Sequence, residues 1–63
     1  MRVWDLILLI NDNSNVNLVN PDGVIFSQYD SKNNIDEEYE DLIVTGIRHT
    51  PEAIEIDCIS EDE

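Results

Sequence analysis

The one nucleophile-and-base pair available in this sequence is Cys58 with His49, each the sole residue of its type. A thiol becomes a useful nucleophile when a base sits within hydrogen-bond reach and a third group orients that base. His49 falls at the end of one extended run, beside a turn, and Cys58 lies near the end of the next. Antiparallel pairing of those runs would put the two at opposite ends of a hairpin. Cys58 then reads as a small core residue, and the chain reads as a non-enzyme. The same counts exclude two other chemistries within one chain. A lone cysteine forms no internal disulfide, and one histidine with one cysteine cannot supply the usual four nitrogen and sulfur ligands of zinc.

Carboxylates are the abundant chemistry. Fifteen Asp and Glu stand against three Lys and Arg, for a formal net charge of −12. A helix-flanked calcium loop starting at Asp30 would place Lys32 at its third position and Ile35 at its sixth, where an oxygen ligand and a glycine are needed. Asp41 would also replace the usual terminal Glu, so the loop fails; only a looser site between the acidic loop and the C-terminal tail stays open. The sequence implies no cofactor. The cluster Asp36, Glu37, Glu38, Glu40 and Asp41 gains interest together with Glu55 and Asp57, which alternate with apolar residues and so point from the solvent face of a sheet. Duplex DNA carries about one charge per 1.7 Å of axis. Carboxylates recurring every ~6–7 Å along a strand can approximate a row of phosphates. The alternative is a solvated face whose charge prevents edge-to-edge aggregation.

The elements that would position these groups can be followed along the chain. Val3, Leu6, Ile7 and Ile10 fall at i, i+3, i+4 and i+7, one face of a helix over Met1 to Ile10, which the polar run from Asn11 to Asn15 would end. A buried strand is the competing reading, and the leucine-rich composition favours helix. Trp4, Leu8 and Leu9 cannot all share the inward face, so they are candidates for an oligomer interface, unless the sheet wraps far enough to cover them. Val16 and Leu18 alternate with Asn17 in the next run. Asn20-Pro21-Asp22-Gly23 then carries the signature of a hairpin turn, with proline presetting φ and glycine taking the left-handed position. Val24 to Tyr29 is the returning strand.

Asp30 to Asp41 lacks apolar periodicity and reads as a solvated loop with room for a helical turn around Asp36 to Tyr39. Leu42 to His49 is a third strand, Thr50-Pro51-Glu52-Ala53 a second turn, and Ile54, Ile56 and Cys58 alternate through a fourth strand. The expected architecture is α+β: an N-terminal helix packed on a four-stranded antiparallel meander. The domain spans 1–60, with an acidic tail at 61–63. Its core candidates are Leu6, Ile7, Val16, Leu18, Phe26, Ile47, Ile54 and Ile56.

Sixty-three residues make one domain, and one this short buries only ~60% of the surface its unfolded chain exposes. Without disulfide or zinc, self-association or a partner is the remaining source of added stability. The acidity disfavours direct contact with nucleic acid and with anionic membranes, and selects basic partners, of which nucleic-acid-binding proteins are the commonest. At 41% hydrophobic residues in patterned runs, disorder is not expected. The apolar run from Val3 to Ile10 is interrupted by Asp5, has no cleavage site after it and is too short to span a bilayer. A cytoplasmic protein with a reduced Cys58 is therefore expected.

The segment Tyr39-Glu40-Asp41-Leu42-Ile43-Val44-Thr45-Gly46-Ile47, with the N-terminal Val3-Trp4-Asp5-Leu6-Ile7, resembles small acidic accessory proteins encoded by phages and prophages. The order of helix, proline-glycine hairpin and acidic loop is similar as well. Some small acidic phage proteins inhibit host defence nucleases, among them anti-CRISPR proteins and DNA mimics. The resemblance implies an inhibitor in the host cytoplasm that docks an acidic surface on a basic nucleic-acid-binding enzyme. It carries over no catalytic residue. A homodimer joined through Trp4, Leu8 and Leu9 is the competing expectation, with the charge serving solubility.

Overall fold

A computed structural model of the chain describes residues 1–60; the expected acidic tail at 61–63 lies outside the described residues. Helix α1 (Val3–Ile7) is followed by strands β1 (Val16–Val19) and β2 (Ile25–Tyr29), a 3-10 turn (Lys32–Asn34), helix α2 (Glu37–Glu40), and strands β3 (Ile43–His49) and β4 (Ile54–Ile59). The α+β class agrees with the expectation, and so do the two hairpins. In the first turn Gly23 takes φ of 84°. Its N–H donates to the Asn20 carbonyl at 2.9 Å. The Asn20 side chain accepts from the amides of Asp22 and Val24, both at 3.0 Å, so one residue satisfies the turn's inner donors. In the second turn the Thr50 hydroxyl donates to the Ala53 carbonyl at 2.8 Å and accepts from the Ala53 amide at 3.0 Å.

The expected antiparallel meander is corrected. The strand order is β2-β1-β4-β3. β1 pairs antiparallel with β2, β4 pairs antiparallel with β3, and β1 runs parallel to β4 with Val16 opposite Ile54 and Leu18 opposite Ile56. Two hairpins are thus joined side by side at a parallel seam. The cause is the segment between β2 and β3. Expected to be a solvated loop, it carries Ile35 into the core and lays Tyr39 and Leu42 against it. Burying those side chains draws the chain back across the sheet, so the second hairpin enters from the far side of β1.

Val3, Leu6, Ile10, Val16, Leu18, Ile35, Ile56 and Cys58 form the core on the face that α1 and this crossover cover. Val19 is buried outside that cluster. Of the expected core, Leu6, Val16, Leu18 and Ile56 are fully inside, and Ile7 and Ile54 pack against it. Phe26 and Ile47 are corrected outward. Phe26 lies at the rim of the edge strand β2, its ring edge-on to Tyr39 with centroids 5.3 Å apart. Ile47 is 51% exposed. The N-terminal segment covers only the start of β3, where Val3 N donates to Leu42 O at 2.9 Å and Val44 N to Met1 O at 2.8 Å. Ile47, three residues on, lies ~10 Å further along the strand.

The helix is also shorter than its apolar pattern. After Ile7 the bonds tighten, with Leu9 N donating to Leu6 O at 2.9 Å and Ile10 N to Ile7 O at 3.3 Å. This three-residue spacing still turns Ile10 inward while Leu8 and Leu9 splay out.

Candidate functional site

The seven carboxylates expected to form one surface divide between two sides of the sheet. Asp36, Glu37, Glu38, Glu40 and Asp41 lie on the crossover that covers the core, in and around α2; all but the half-buried Glu40 are exposed. Glu55 and Asp57 alternate with the core residues Ile56 and Cys58, so they project from the opposite, open face. There Arg48 bridges them: Nε lies 3.3 Å from Glu55 Oε1 and Nη2 is 2.9 Å from Asp57 Oδ1. The open face, expected to be the negative one, therefore has its two carboxylates paired by one guanidinium. Gly46 permits this. A Cβ there would stand 3.0 Å from Asp57 Oδ2, against the carboxylate that Arg48 holds.

Cation supply explains why α2 keeps its charge. The chain has three Lys and Arg. Arg48 is taken by the open face, and Lys32 Nζ lies 3.3 Å from Asp12 Oδ1. Arg2 stands at the start of α1, where its backbone N–H donates to Asp5 Oδ2 at 3.1 Å, and its Nη1 donates to the Asp41 carbonyl at 2.6 Å. That places one cation at the C-terminal end of α2, where it also suits the helix dipole, against five carboxylates. Asp36 additionally accepts from the Tyr29 hydroxyl at 3.1 Å. No ion pair among the described residues involves Glu37, Glu38 or Glu40.

His49 and Cys58 lie apart, as expected. His49 pairs with Ile54 beside the second turn, and Cys58 pairs with Val44 at the other end of the hairpin. His49 borders a hollow of about 210 Å³ with Thr50 and Glu52, while Cys58 borders a different one of about 170 Å³ with Phe26 and Tyr39. The Cys58 thiol is buried and donates to the Val19 carbonyl at 3.7 Å. Burial, and then the neighbouring Asp57 charge, push its pKa up, which keeps it protonated and unreactive. Among the described residues no group of three or more His, Cys, Asp or Glu side chains could hold a metal ion. No helix among them is long and apolar enough to cross a membrane.

The interface candidates Trp4, Leu8 and Leu9 all stand outward, at 45%, 71% and 76% exposure. Sequence reasoning missed Arg48, whose place two residues before the second turn was a legible sign that it would face Glu55 across the hairpin. It also missed Ile35, the one aliphatic residue between Tyr29 and Leu42 and hence the natural anchor of the crossover. No protein-family model, no curated protein and no solved structure matches this chain.

Proposed function

We propose that this protein is a non-catalytic inhibitor or regulator that docks its acidic crossover on a basic nucleic-acid-binding protein, an anti-defence protein of the small acidic phage type. The observation that carries this reading is the concentration of Asp36, Glu37, Glu38, Glu40 and Asp41 on one short segment while the chain's cations are engaged on other groups or at the end of α2. Such a surface steers a cationic partner in and repels nucleic acid itself. The separation of His49 from Cys58 supports a binding role rather than turnover. Glu55 and Asp57, paired by Arg48, contribute less to the docking surface than the α2 carboxylates.

Capture of host proteins at low and high salt tests the proposal, using the native chain and two variants. One converts Asp36, Glu37, Glu38, Glu40 and Asp41 to amides; the other converts only Glu55 and Asp57. The expected result is a captured nucleic-acid-binding protein that salt releases and that DNA or RNA displaces. The five-amide variant should bind about tenfold more weakly or worse, a loss of ~1.4 kcal/mol, and the two-amide variant should bind nearly as the native chain does. Capture indifferent to salt and to both variants would sink the proposal.

A second reading, a homo-oligomeric interaction module, is favoured by the exposure of Trp4, Leu8 and Leu9. Light scattering that shows a monomer at tens of micromolar would count against it.

A further inference from the structure

α1 presents a surface that the monomer leaves uncovered. Val3 and Leu6 turn into the core, whereas Trp4 on the helix, Leu8 at its C-cap four residues on, and Leu9 in the turn that follows face solvent. α1 packs beside α2 on the same face of the sheet, and the Arg2 guanidinium at the start of α1 holds the last turn of α2 through the Asp41 carbonyl. The apolar strip and the carboxylates of Glu37, Glu38 and Glu40 thus belong to one side of the molecule, the outside of its helical layer.

We infer that this side is a composite docking face for a cationic amphipathic segment of a partner protein. Its apolar side chains would seat on Trp4, Leu8 and Leu9, and its Lys and Arg side chains on the α2 carboxylates. The inference rests on the acidic-docking reading above and specifies what that surface recognises. Charge decides the occupant. A second copy would bring two chains of net charge −12 together with their acidic helices at the joint, which low salt opposes. A nucleic acid or an anionic bilayer is repelled for the same reason. A purely ionic partner would leave three large apolar side chains in water, and a segment carrying both chemistries leaves neither unused.

Trp4 is the only tryptophan, so its emission reports on this face directly. Three synthetic helical peptides serve as probes: leucine with lysine, serine with lysine at the same charge, and leucine with glutamate. The leucine–lysine peptide should shift Trp4 emission to the blue and bind about tenfold tighter than the serine–lysine peptide, the worth of burying roughly two leucines part-way. The leucine–glutamate peptide should not bind. Leu8→Ser with Leu9→Ser should erase the tenfold advantage, and circular dichroism should show the fold intact, since both residues are already in water. Glu37→Gln with Glu38→Gln and Glu40→Gln should weaken both lysine peptides and flatten their salt dependence. Equal binding of the two lysine peptides would remove the composite face and leave the acidic reading standing. Binding indifferent to salt would remove both. A blue shift of the protein alone that grows with its concentration and with added salt would assign the face to a second copy and overturn the inference.

Discussion

Cys58 and Arg48 occupy neighbouring strands and meet opposite surroundings, and the difference is set by one position of strand alternation. Cys58 points into the core, donates to the Val19 carbonyl and has its thiol pKa raised chiefly by burial. Tyr29 is raised in the same direction, again mainly by burial. For both groups the folded state holds the proton longer than the unfolded chain does. Stability is therefore full below the unfolded pKa and declines as pH rises through it. Urea melts should show the midpoint falling above pH about 8.5. Cys58→Ala should remove part of that decline while itself costing about 1 kcal/mol for the lost packing. A midpoint flat from neutral to alkaline pH would contradict this account. Arg48 looks outward and spans Glu55 and Asp57, half-exposed partners whose pairing is worth at most ~1 kcal/mol. Its importance is in subtracting charge from the open face, which leaves α2 as the acidic surface.

At the scale of elements, the turns are where local sequence decides local structure. Asn20 holds two amides of the first turn through its side chain. Asn20→Ala should cost about 1–2 kcal/mol, read as a lower urea midpoint with an unchanged slope. Asn20→Asp, which keeps the accepting oxygen, should recover most of the loss. That hairpin was legible because proline and glycine fix backbone angles within four residues, and its successor because Pro51 presets φ in Thr50-Pro51-Glu52-Ala53. The inward face of α1 was legible as far as Ile10, though a tightened turn, not a further α-helical one, delivers that residue. The partner of β1 was not legible. Periodicity tells which side of a strand is apolar and says nothing about which other strand lies alongside. The parallel β1–β4 seam depends instead on Ile35, Tyr39 and Leu42 drawing the crossover over the sheet. Phe26 and Ile47 have the residue types of a core and lie outside it because each sits on an edge strand. Phe26 meets only the rim of the helical layer, through Tyr39, and Ile47 lies beyond the part of β3 that the N-terminal segment covers. The acidic residues were legible as a set. Their division between two faces was not, since it follows from the same crossover.

For the whole molecule, excess charge outweighs the ion pairs. Fifteen acidic groups and three Lys and Arg make the compact state self-repelling, and added salt screens that repulsion over a Debye length of ~10 Å at 0.1 M. Salt also weakens the bonds of Arg48 and Lys32 to their carboxylates, each worth less than ~1 kcal/mol at the surface. The repulsive term is the larger, so sodium chloride should stabilise the fold. A gain of ~1 kcal/mol corresponds to a thermal midpoint about 4–8 °C higher for a domain of this size. A midpoint that falls with salt would show that the ion pairs dominate instead.

The parallel seam also orders events in time. Each hairpin closes through its own turn, a step of ~1–10 μs. The seam must then join Val16–Val19 to Ile54–Asp57, segments far apart along the chain, and that joining carries the loop entropy of everything between them. Seam closure is therefore the expected slow step, and the topology predicts both hairpins formed at the barrier. The cost of Asn20→Ala should accordingly appear as slower refolding in stopped-flow measurements, with the unfolding rate nearly unchanged.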